Sequence, residues 1–244
     1  MLLFYNDLDN MDKNLLLTAI RASLEAGSEI MSVYTDPNAD FEIEKKADNS
    51  PLTIADRKSH MVIAARLAST PYPVLSEEGK KIPVEERQSW NELWIVDPLD
   101  GTKEFIYRNG RFCINIALVE EGRPVFGMIN NVCDGEILWA FESGEFGMIR
   151  AGREEVLVNE PNTASKLKVA VSRFHLTEWE MQYIDYLRSL GHEVELVPLG
   201  ASSKHCMLAE GKVDICPKFG KCSEWDVAAG QVLVEATGGL VVNA

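Results

Sequence analysis

The sequence predicts a mixed α/β protein, with an α+β first domain over residues 1–165 and an α/β second domain over residues 166–244. Apolar residues recur at spacings of three and four over 12–34, which indicates an amphipathic helix. Four short apolar runs follow between 114 and 158, separated by turn signals such as Gly122-Arg123-Pro124, and they indicate an antiparallel meander. Strands and helices alternate after residue 166, which is typical of α/β packing. The polar stretch at 159–166 is the predicted domain junction.

The first domain is predicted to begin with two helices. The helix at 12–34 carries one apolar stripe, formed by Leu16, Ile20, Leu24, Gly27 and Met31. A short strand at 41–44 precedes a second helix that starts at 50–53, with Pro51 in its first turn. The residues expected on the core side of that helix are Ile54, Met61, Ala65 and Ala68. Residues 1–10 are interpreted as a loose leader and 76–92 as a loop. A buried strand at 93–96 leads into the meander, at 114–119, 125–130, 137–141 and 156–158.

The second domain is predicted to contain strands at 167–171, 194–197 and 213–216 and helices at 178–190, 202–210 and 225–237. The last helix has a regular apolar face, formed by Trp225, Ala228, Ala229, Val232, Leu233 and Ala236. That face predicts that the helix packs against a sheet.

The composition is that of an ordinary folded protein, but the charge is strongly acidic. The 244 residues are 46% hydrophobic and carry a formal net charge of −14. Nucleic-acid binding is disfavoured, because it requires a basic patch. An anionic substrate would need local positive charge, which bound cations can provide. The five cysteines form no Cys-x-x-Cys pair and indicate reduced thiols in a cytosolic protein. No apolar run reaches transmembrane length.

Two carboxylates follow the apolar strand at 93–96. Asp97 and Asp100 are separated by Pro98 and Leu99, and Gly101-Thr102 follows. A loop of this kind can direct both carboxylates at one point, and carboxylate oxygens are the ligands that Mg²⁺ prefers. The alternative is a turn whose aspartates cap a helix, although one aspartate would suffice for that. A covalent aspartyl-phosphate mechanism is disfavoured, because the nucleophile of an Asp-x-Asp-Gly-Thr run would fall on Pro98.

Three further acidic elements lie elsewhere in the chain. Glu77 and Glu78 precede Gly79, Asp226 lies at the start of the last predicted helix, and Asp56 lies in the first turn of the second helix. Taken singly, each has an ordinary explanation, either as a solvated loop or as a helix cap.

In order and type, the four elements together resemble the metal-dependent, lithium-sensitive phosphatases of the inositol monophosphatase family. The most specific stretch is Asp-Pro-Leu-Asp-Gly-Thr-Lys-Glu-Phe at 97–105, in which Lys103-Glu104 is similar to the 3′(2′),5′-bisphosphate nucleotidase branch. The resemblance implies an inositol-monophosphatase-like fold of two stacked domains in alternating helix and sheet layers, with the active site between them. It also implies a cytoplasmic enzyme of sulfur assimilation, with a place peripheral to the inner membrane as an alternative.

The resemblance implies a role for each motif residue. The metal ligands would be Glu77, Asp97, the carbonyl of Leu99, Asp100 and Asp226, and they would hold two or three Mg²⁺ ions. Asp56 and Thr102 would be catalytic, orienting and helping to deprotonate the attacking water. The substrate would be bound by Gly101, Thr102, Ser172, His175, Gly200, Lys204 and Asp226. The role of Glu78 stays open. Ser172-Arg173-Phe174-His175 and the run from Gly200 to Lys204 carry the resemblance in the second domain.

The implied reaction is hydrolysis of the 3′-phosphate of 3′-phosphoadenosine 5′-phosphate to AMP and phosphate. A second implied substrate is 3′-phosphoadenosine 5′-phosphosulfate. One alternative is an inositol monophosphate or sugar-phosphate phosphatase of the same family, and another is a regulatory module that binds metal and phosphate without turnover. The partner would be a small phosphate ester, and the protein would be a monomer or a homodimer. Family members usually run on beyond the equivalent of Ala244 through a further strand, so we expect the last strand pairing to be reduced here.

Overall fold

The computed structural model describes residues 10–46, 50–155, 166–173 and 176–243. Two helices open this part of the chain, α1 (Asn10–Tyr34) and α2 (Ile54–Leu67). The short strands β1 (Glu44–Lys45) and β2 (Pro51–Leu52) pair with each other between them. Thr53 caps α2, because its side chain accepts a hydrogen bond from the N–H of Ala55.

Within the described residues, seven strands form one sheet in the order β3-β4-β5-β6-β7-β8-β9. β3 (Val74–Ser76) runs parallel to β4 (Glu92–Asp100), and the remaining neighbours are antiparallel. The antiparallel strands are β5 (Cys113–Glu120), β6 (Arg123–Asn131), β7 (Glu136–Phe141), β8 (Phe146–Arg150) and β9 (Arg153–Glu155). Two short helices flank β4, α3 (Val84–Arg87) and α4 (Thr102–Ile106).

The last part contains two parallel strands and three helices. β10 (Lys166–Ser172) pairs with β11 (Glu193–Leu199), and a single bridge joins Val169 to Ile215 on its other side. The helices are α5 (Glu178–Ser189), α6 (Ser203–Ala209) and α7 (Glu224–Ala236). None of the described helices is both long and apolar enough to cross a membrane.

The seven-stranded sheet lies between two helical layers because β4 and its neighbours are apolar on both faces. Trp94 and Val96 pack with the cluster that contains α1 and α2, whereas Leu93 and Ile95 pack with the cluster that contains α6 and α7. This alternation confirms the predicted arrangement of helix and sheet layers.

The approach of α7 to the sheet is unusually close at Gly127 of β6. A Cβ atom at this position would lie 2.3 Å from the carbonyl oxygen of Ala229. Only glycine fits there, so the small residues of α7 and β6 fix how deeply the helix sits. This contact positions the first turn of α7 and therefore Asp226.

Several predictions of local structure are wrong. The strand at 41–44 is reduced to Glu44–Lys45, and Pro51 lies in β2 rather than in the first turn of α2. The stripe of α1 includes Leu24, which is 53% exposed. The core side of α2 is formed by Ala55, Asp56, Ser59, Ile63 and Leu67, not by the predicted set. Buried polar residues on that side concealed the true periodicity, and Met61 is 70% exposed.

Further corrections concern the strands. The strand expected at 213–216 is only the Ile215 bridge, because Pro217 ends the run. The sequence reading missed β3, β8 and β9 and the short helix α3. The strand expected at 156–158 and almost all of the junction at 159–166 lie outside the described residues, so the boundary at 165/166 stays a prediction.

Candidate active site

The site begins where the pairing of β4 with β5 is interrupted. Asp97 lies opposite Asn115 and Asp100 opposite Cys113, with a register shift between the two pairs. The backbone N–H of Leu99 donates to Oδ1 of Asp97 at 3.1 Å, which closes a tight turn. Gly101 then adopts φ 93°, in the left-handed region, and α4 begins at the next residue. The irregular end of β4 therefore brings two carboxylates to one corner.

Asp226 completes an acidic cluster with this pair. Asp97, Asp100 and Asp226 each offer a carboxylate oxygen, and these three atoms lie within 4.8 Å of one another. Asp226 lies in the first turn of α7 and accepts a hydrogen bond from the N–H of Ser223 at 2.8 Å. The structure thus joins residues from β4 and from the last helix, as the resemblance implied.

Burial and mutual repulsion destabilise the charged form of this cluster. Burial raises the pKa of Asp97 well above its usual value, and the charges of Glu77, Asp100 and Asp226 raise it further. Burial is also the main reason that the pKa of Asp226 is raised. A multivalent cation would remove both costs.

Glu77 joins the cluster from the end of β3. Its charge is one of those that raise the pKa of Asp97, and burial raises the pKa of Glu77 itself. Lys46 Nζ lies 2.7 Å from Oε1 of Glu77 and also contacts the carboxylate of Glu78. The lysine thus compensates two acidic groups beside the cluster. It was missed in the sequence, where a single lysine between two short strands gives no signal.

Asp56 and Thr102 meet next to the cluster. The hydroxyl of Thr102 donates to Oδ1 of Asp56 at 3.1 Å, and the N–H and hydroxyl of Thr53 donate to Oδ2 at 2.7 and 2.5 Å. Asp56 is completely buried, and that burial raises its pKa. The same Thr102 hydroxyl lies 3.4 Å from the carbonyl oxygen of Leu99, which places this carbonyl at the site too.

A large cavity is lined by residues of the cluster and by residues of the predicted second domain. Its volume is ≈ 1510 Å³, and its walls include Asp100, Gly101, Thr102 and Asp226. Ser172 and Lys204 of the predicted substrate set also line it. Gly200 packs directly against the buried side chain of Glu104. A Cβ atom at Gly200 would lie 2.2 Å from Oε1 of Glu104. His175 lies outside the described residues.

The comparisons with known proteins agree with this geometry. The family model described as the inositol monophosphatase family matches residues 11–244. The chain belongs to the inositol monophosphatase family. It is 41% identical over 215 residues to the 3′(2′),5′-bisphosphate nucleotidase CysQ of Salmonella typhimurium, covering 87% of this chain and 84% of the relative.

Solved structures of the family have the same fold. CysQ from Bacteroides thetaiotaomicron superposes with a TM-score of 0.80 at 45% identity, covering 91% of this chain and 86% of that one. An inositol monophosphatase from Zymomonas mobilis gives a TM-score of 0.72 at 26% identity, covering 95% and 85%. The predicted fold class is therefore confirmed.

Members of the inositol monophosphatase family are metal-dependent, and the donor set of this chain suits a hard divalent cation. Three carboxylates and a nearby backbone carbonyl provide only oxygen ligands, which favours a hard cation over softer metals. The raised pKa values of Asp97 and Asp226 indicate that the folded chain holds these groups together at a cost that a cation would offset.

Two residues that anchor Asp100 were missed in the sequence. The N–H and the hydroxyl of Ser202 donate to Oδ2 of Asp100 at 2.6 and 2.5 Å. The side-chain amide of Asn115 reaches the same oxygen at 3.3 Å and the Ser202 hydroxyl at 2.9 Å. Asn115 did carry a signal, since it is a polar residue within the apolar run of β5.

Proposed function

We propose that this protein is a Mg²⁺-dependent 3′(2′),5′-bisphosphate nucleotidase, which hydrolyses the 3′-phosphate of 3′-phosphoadenosine 5′-phosphate to AMP and phosphate. The observation that carries the proposal is a cavity lined by both carboxylates and cations. The carboxylates of Asp100 and Asp226 line it, and so do the cations Lys204, Lys218 and Lys221. A substrate with one phosphate at a metal site and a second phosphate beside lysines matches this distribution of charge.

The names of the relatives support the same substrate. Proteins called 3′(2′),5′-bisphosphate nucleotidase CysQ match this chain at 38–41% identity over 215 residues. We extend the proposal to 3′-phosphoadenosine 5′-phosphosulfate as a second substrate and to a role in sulfur assimilation. We also propose a cytoplasmic location, which the five free thiols favour.

Glu77, Asp97, Asp100, Asp226 and the carbonyl of Leu99 would hold the metal, as two or three Mg²⁺ ions. When bound, Mg²⁺ supplies positive charge for the phosphate oxygens and acidifies water. The Thr102 hydroxyl donates to Asp56, so its oxygen is free to accept a hydrogen bond from the attacking water. As the water attacks, its proton would pass to Thr102 while the proton of Thr102 passes to Asp56. The backbone N–H groups of Gly101 and Thr102 bind the phosphate, and Ser172, His175, Gly200 and Lys204 contact the nucleotide.

The water attacks phosphorus directly in this proposal, so no phosphorylated protein forms. A single turnover in ¹⁸O-labelled water should place the label in the released phosphate. A trapped phosphoprotein would overturn the mechanism.

The test of function is phosphate release from 3′-phosphoadenosine 5′-phosphate and from inositol 1-phosphate, each with Mg²⁺, with EDTA and with added Li⁺. We expect fast release from the nucleotide that needs Mg²⁺ and is inhibited by Li⁺. Asp100→Asn should abolish it, whereas Asp134→Asn, at a half-exposed residue paired with Arg111 on a surface turn, should not. Release from the inositol ester alone would refute the substrate, and a fully active Asp100→Asn protein would refute the site.

A further inference from the structure

The proposed function leaves one feature of the cavity without a role, namely a pair of aromatic side chains. Tyr183 and Phe219 both line the cavity. Their ring centroids are 5.8 Å apart and their planes are inclined by 59°. Aromatic rings on a cavity wall next to a phosphate site offer a stacking surface for a nucleobase.

Each ring of the pair is held in place by a different element. Tyr183 lies on α5 and packs with the small apolar cluster around Val169 and Ile184. Phe219 lies on the segment 217–222, which runs against the start of α5. A Cβ at the next residue, Gly220, would be 3.6 Å from Cγ2 of Thr177, the cap of α5. The position of the pair is therefore fixed before a ligand binds, which lowers the entropic cost of binding.

The pair is only partly covered by protein. Phe219 is 38% exposed, and Tyr183 is half-buried. A ring that served only the core would be closed off from solvent, whereas this one faces a cavity.

The chemistry along segment 217–222 matches a nucleotide. Lys218 and Lys221 flank Phe219, and the same chain then enters α7 with Asp226 in its first turn. The nine consecutive residues 218–226 thus provide cations, an aromatic ring and a carboxylate of the proposed metal site. Inositol and simple sugar phosphates have no flat aromatic face, so this arrangement favours a ligand that carries a base.

We propose that the adenine base stacks on the Tyr183–Phe219 pair, and that this pair determines the preference for nucleotides over phosphate esters without a base. The inference rests on the proposed nucleotidase function. The pair acts by binding and does not take part in the chemical step.

The test compares two substrates that differ only in the base. One is 3′-phosphoadenosine 5′-phosphate, and the other is its abasic analogue, methyl ribofuranoside 3,5-bisphosphate. Phe219→Leu keeps an apolar side chain and removes the ring. We expect it to lower kcat/KM for the nucleotide by roughly 5- to 150-fold, mainly through KM, and to leave the abasic analogue unchanged. AMP should also become a weaker competitive inhibitor by a similar factor.

Two controls separate stacking from folding. Phe219→Tyr restores a ring and should recover the preference for the nucleotide. Trp179 lies on α5, the helix that carries Tyr183, and is 68% exposed. Trp179→Ala removes this aromatic side chain and should leave kcat/KM unchanged for both substrates. Thermal unfolding of each variant shows whether the segment still packs on α5.

The outcomes distinguish the inference from the function on which it rests. If the wild type hydrolyses the nucleotide and Phe219→Leu impairs both substrates equally, or neither, the stacking proposal is wrong and the nucleotidase function stands. If the wild type prefers inositol 1-phosphate to both ribose esters, the proposed function fails and the inference fails with it.

Discussion

Ser202→Ala should weaken Mg²⁺ binding, because the Ser202 hydroxyl orients a metal-site carboxylate without touching the metal. Its hydroxyl donates to Oδ2 of Asp100 at 2.5 Å, and the Ser202 N–H donates to the same atom at 2.6 Å. The substitution removes the first bond and keeps the second, together with the longer bond from Asn115 at 3.3 Å. Oδ2 is then held less firmly, so the other oxygen of Asp100 loses its fixed direction.

The size of the effect follows from the bond that is lost. A hydrogen bond to a charged group contributes about 1.5–3 kcal/mol, and loss of a partner that orients a metal ligand typically lowers metal affinity by about 10- to 100-fold. Because the bonds from the Ser202 N–H and from Asn115 remain, we expect a value near the lower end of that range. Turnover at saturating Mg²⁺ should be reduced much less, since every proposed ligand is still present.

The assay is a Mg²⁺ titration of phosphate release at fixed nucleotide, after stripping with EDTA. Ser203→Ala is the matched control, because the Ser203 hydroxyl donates to the carbonyl of Gly200 at 2.6 Å and not to Asp100. A Ser202→Ala protein whose Mg²⁺ midpoint equals that of the wild type would refute the reasoning. The Ser202 hydroxyl would then be irrelevant to the direction of the carboxylate.

Three other predictions concern stability. Asp97→Asn should stabilise the metal-free protein in thermal unfolding, because the charge of Asp97 is buried among like charges, and it should abolish the stabilisation by Mg²⁺; a less stable apo protein would contradict this. Burial lowers the pKa of His205 to about 4, and its Nδ1 has no hydrogen-bond partner among the described residues. Between pH 6.5 and 4, His205 is therefore protonated in the unfolded chain but neutral in the folded one. The free energy of unfolding should fall by up to about 3 kcal/mol as the pH drops from 6.5 to 4. His205→Phe should flatten that slope in urea unfolding, and an unchanged slope would show that other groups cause it. Gly127→Ala should cost about 1–3 kcal/mol in urea unfolding and lower activity, since its Cβ would push α7 from the sheet; an unaffected protein would mean that α7 adapts.

The sequence predicted the layers of the fold because long periodic segments were easy to recognise. The last helix and the strands at 113–141 combine strong apolar patterns with clear turn signals, and both were confirmed. The strands β8 and β9 were missed because they are short and β9 is polar, so the sheet itself rather than local preference determines them. The core side of α2 was misassigned because Asp56 and Ser59 are buried there through hydrogen bonds.

The residues of the candidate site were also only partly predictable from the sequence. Carboxylates in motifs could be found from the sequence, and the structure brings Asp97, Asp100 and Asp226 together. The residues that hold these carboxylates could not be found, because their role depends on contacts between distant segments. Ser202 reaches Asp100 across 102 positions of sequence, and Lys46 reaches Glu77 across 31.

Asp56 shows why capping and function were wrongly treated as competing explanations. A carboxylate has two oxygens, and here they serve different partners. Oδ2 accepts from the N–H and hydroxyl of Thr53 and so caps α2, whereas Oδ1 accepts from the hydroxyl of Thr102. Asp226 combines the same two roles at the start of α7, where Oδ2 accepts from the N–H of Ser223. Because the cap fixes the side chain, it orients the remaining oxygen towards the site. The capping box is thus the means by which each helix presents a carboxylate to the cavity, and a capping pattern in the sequence does not count against a functional one.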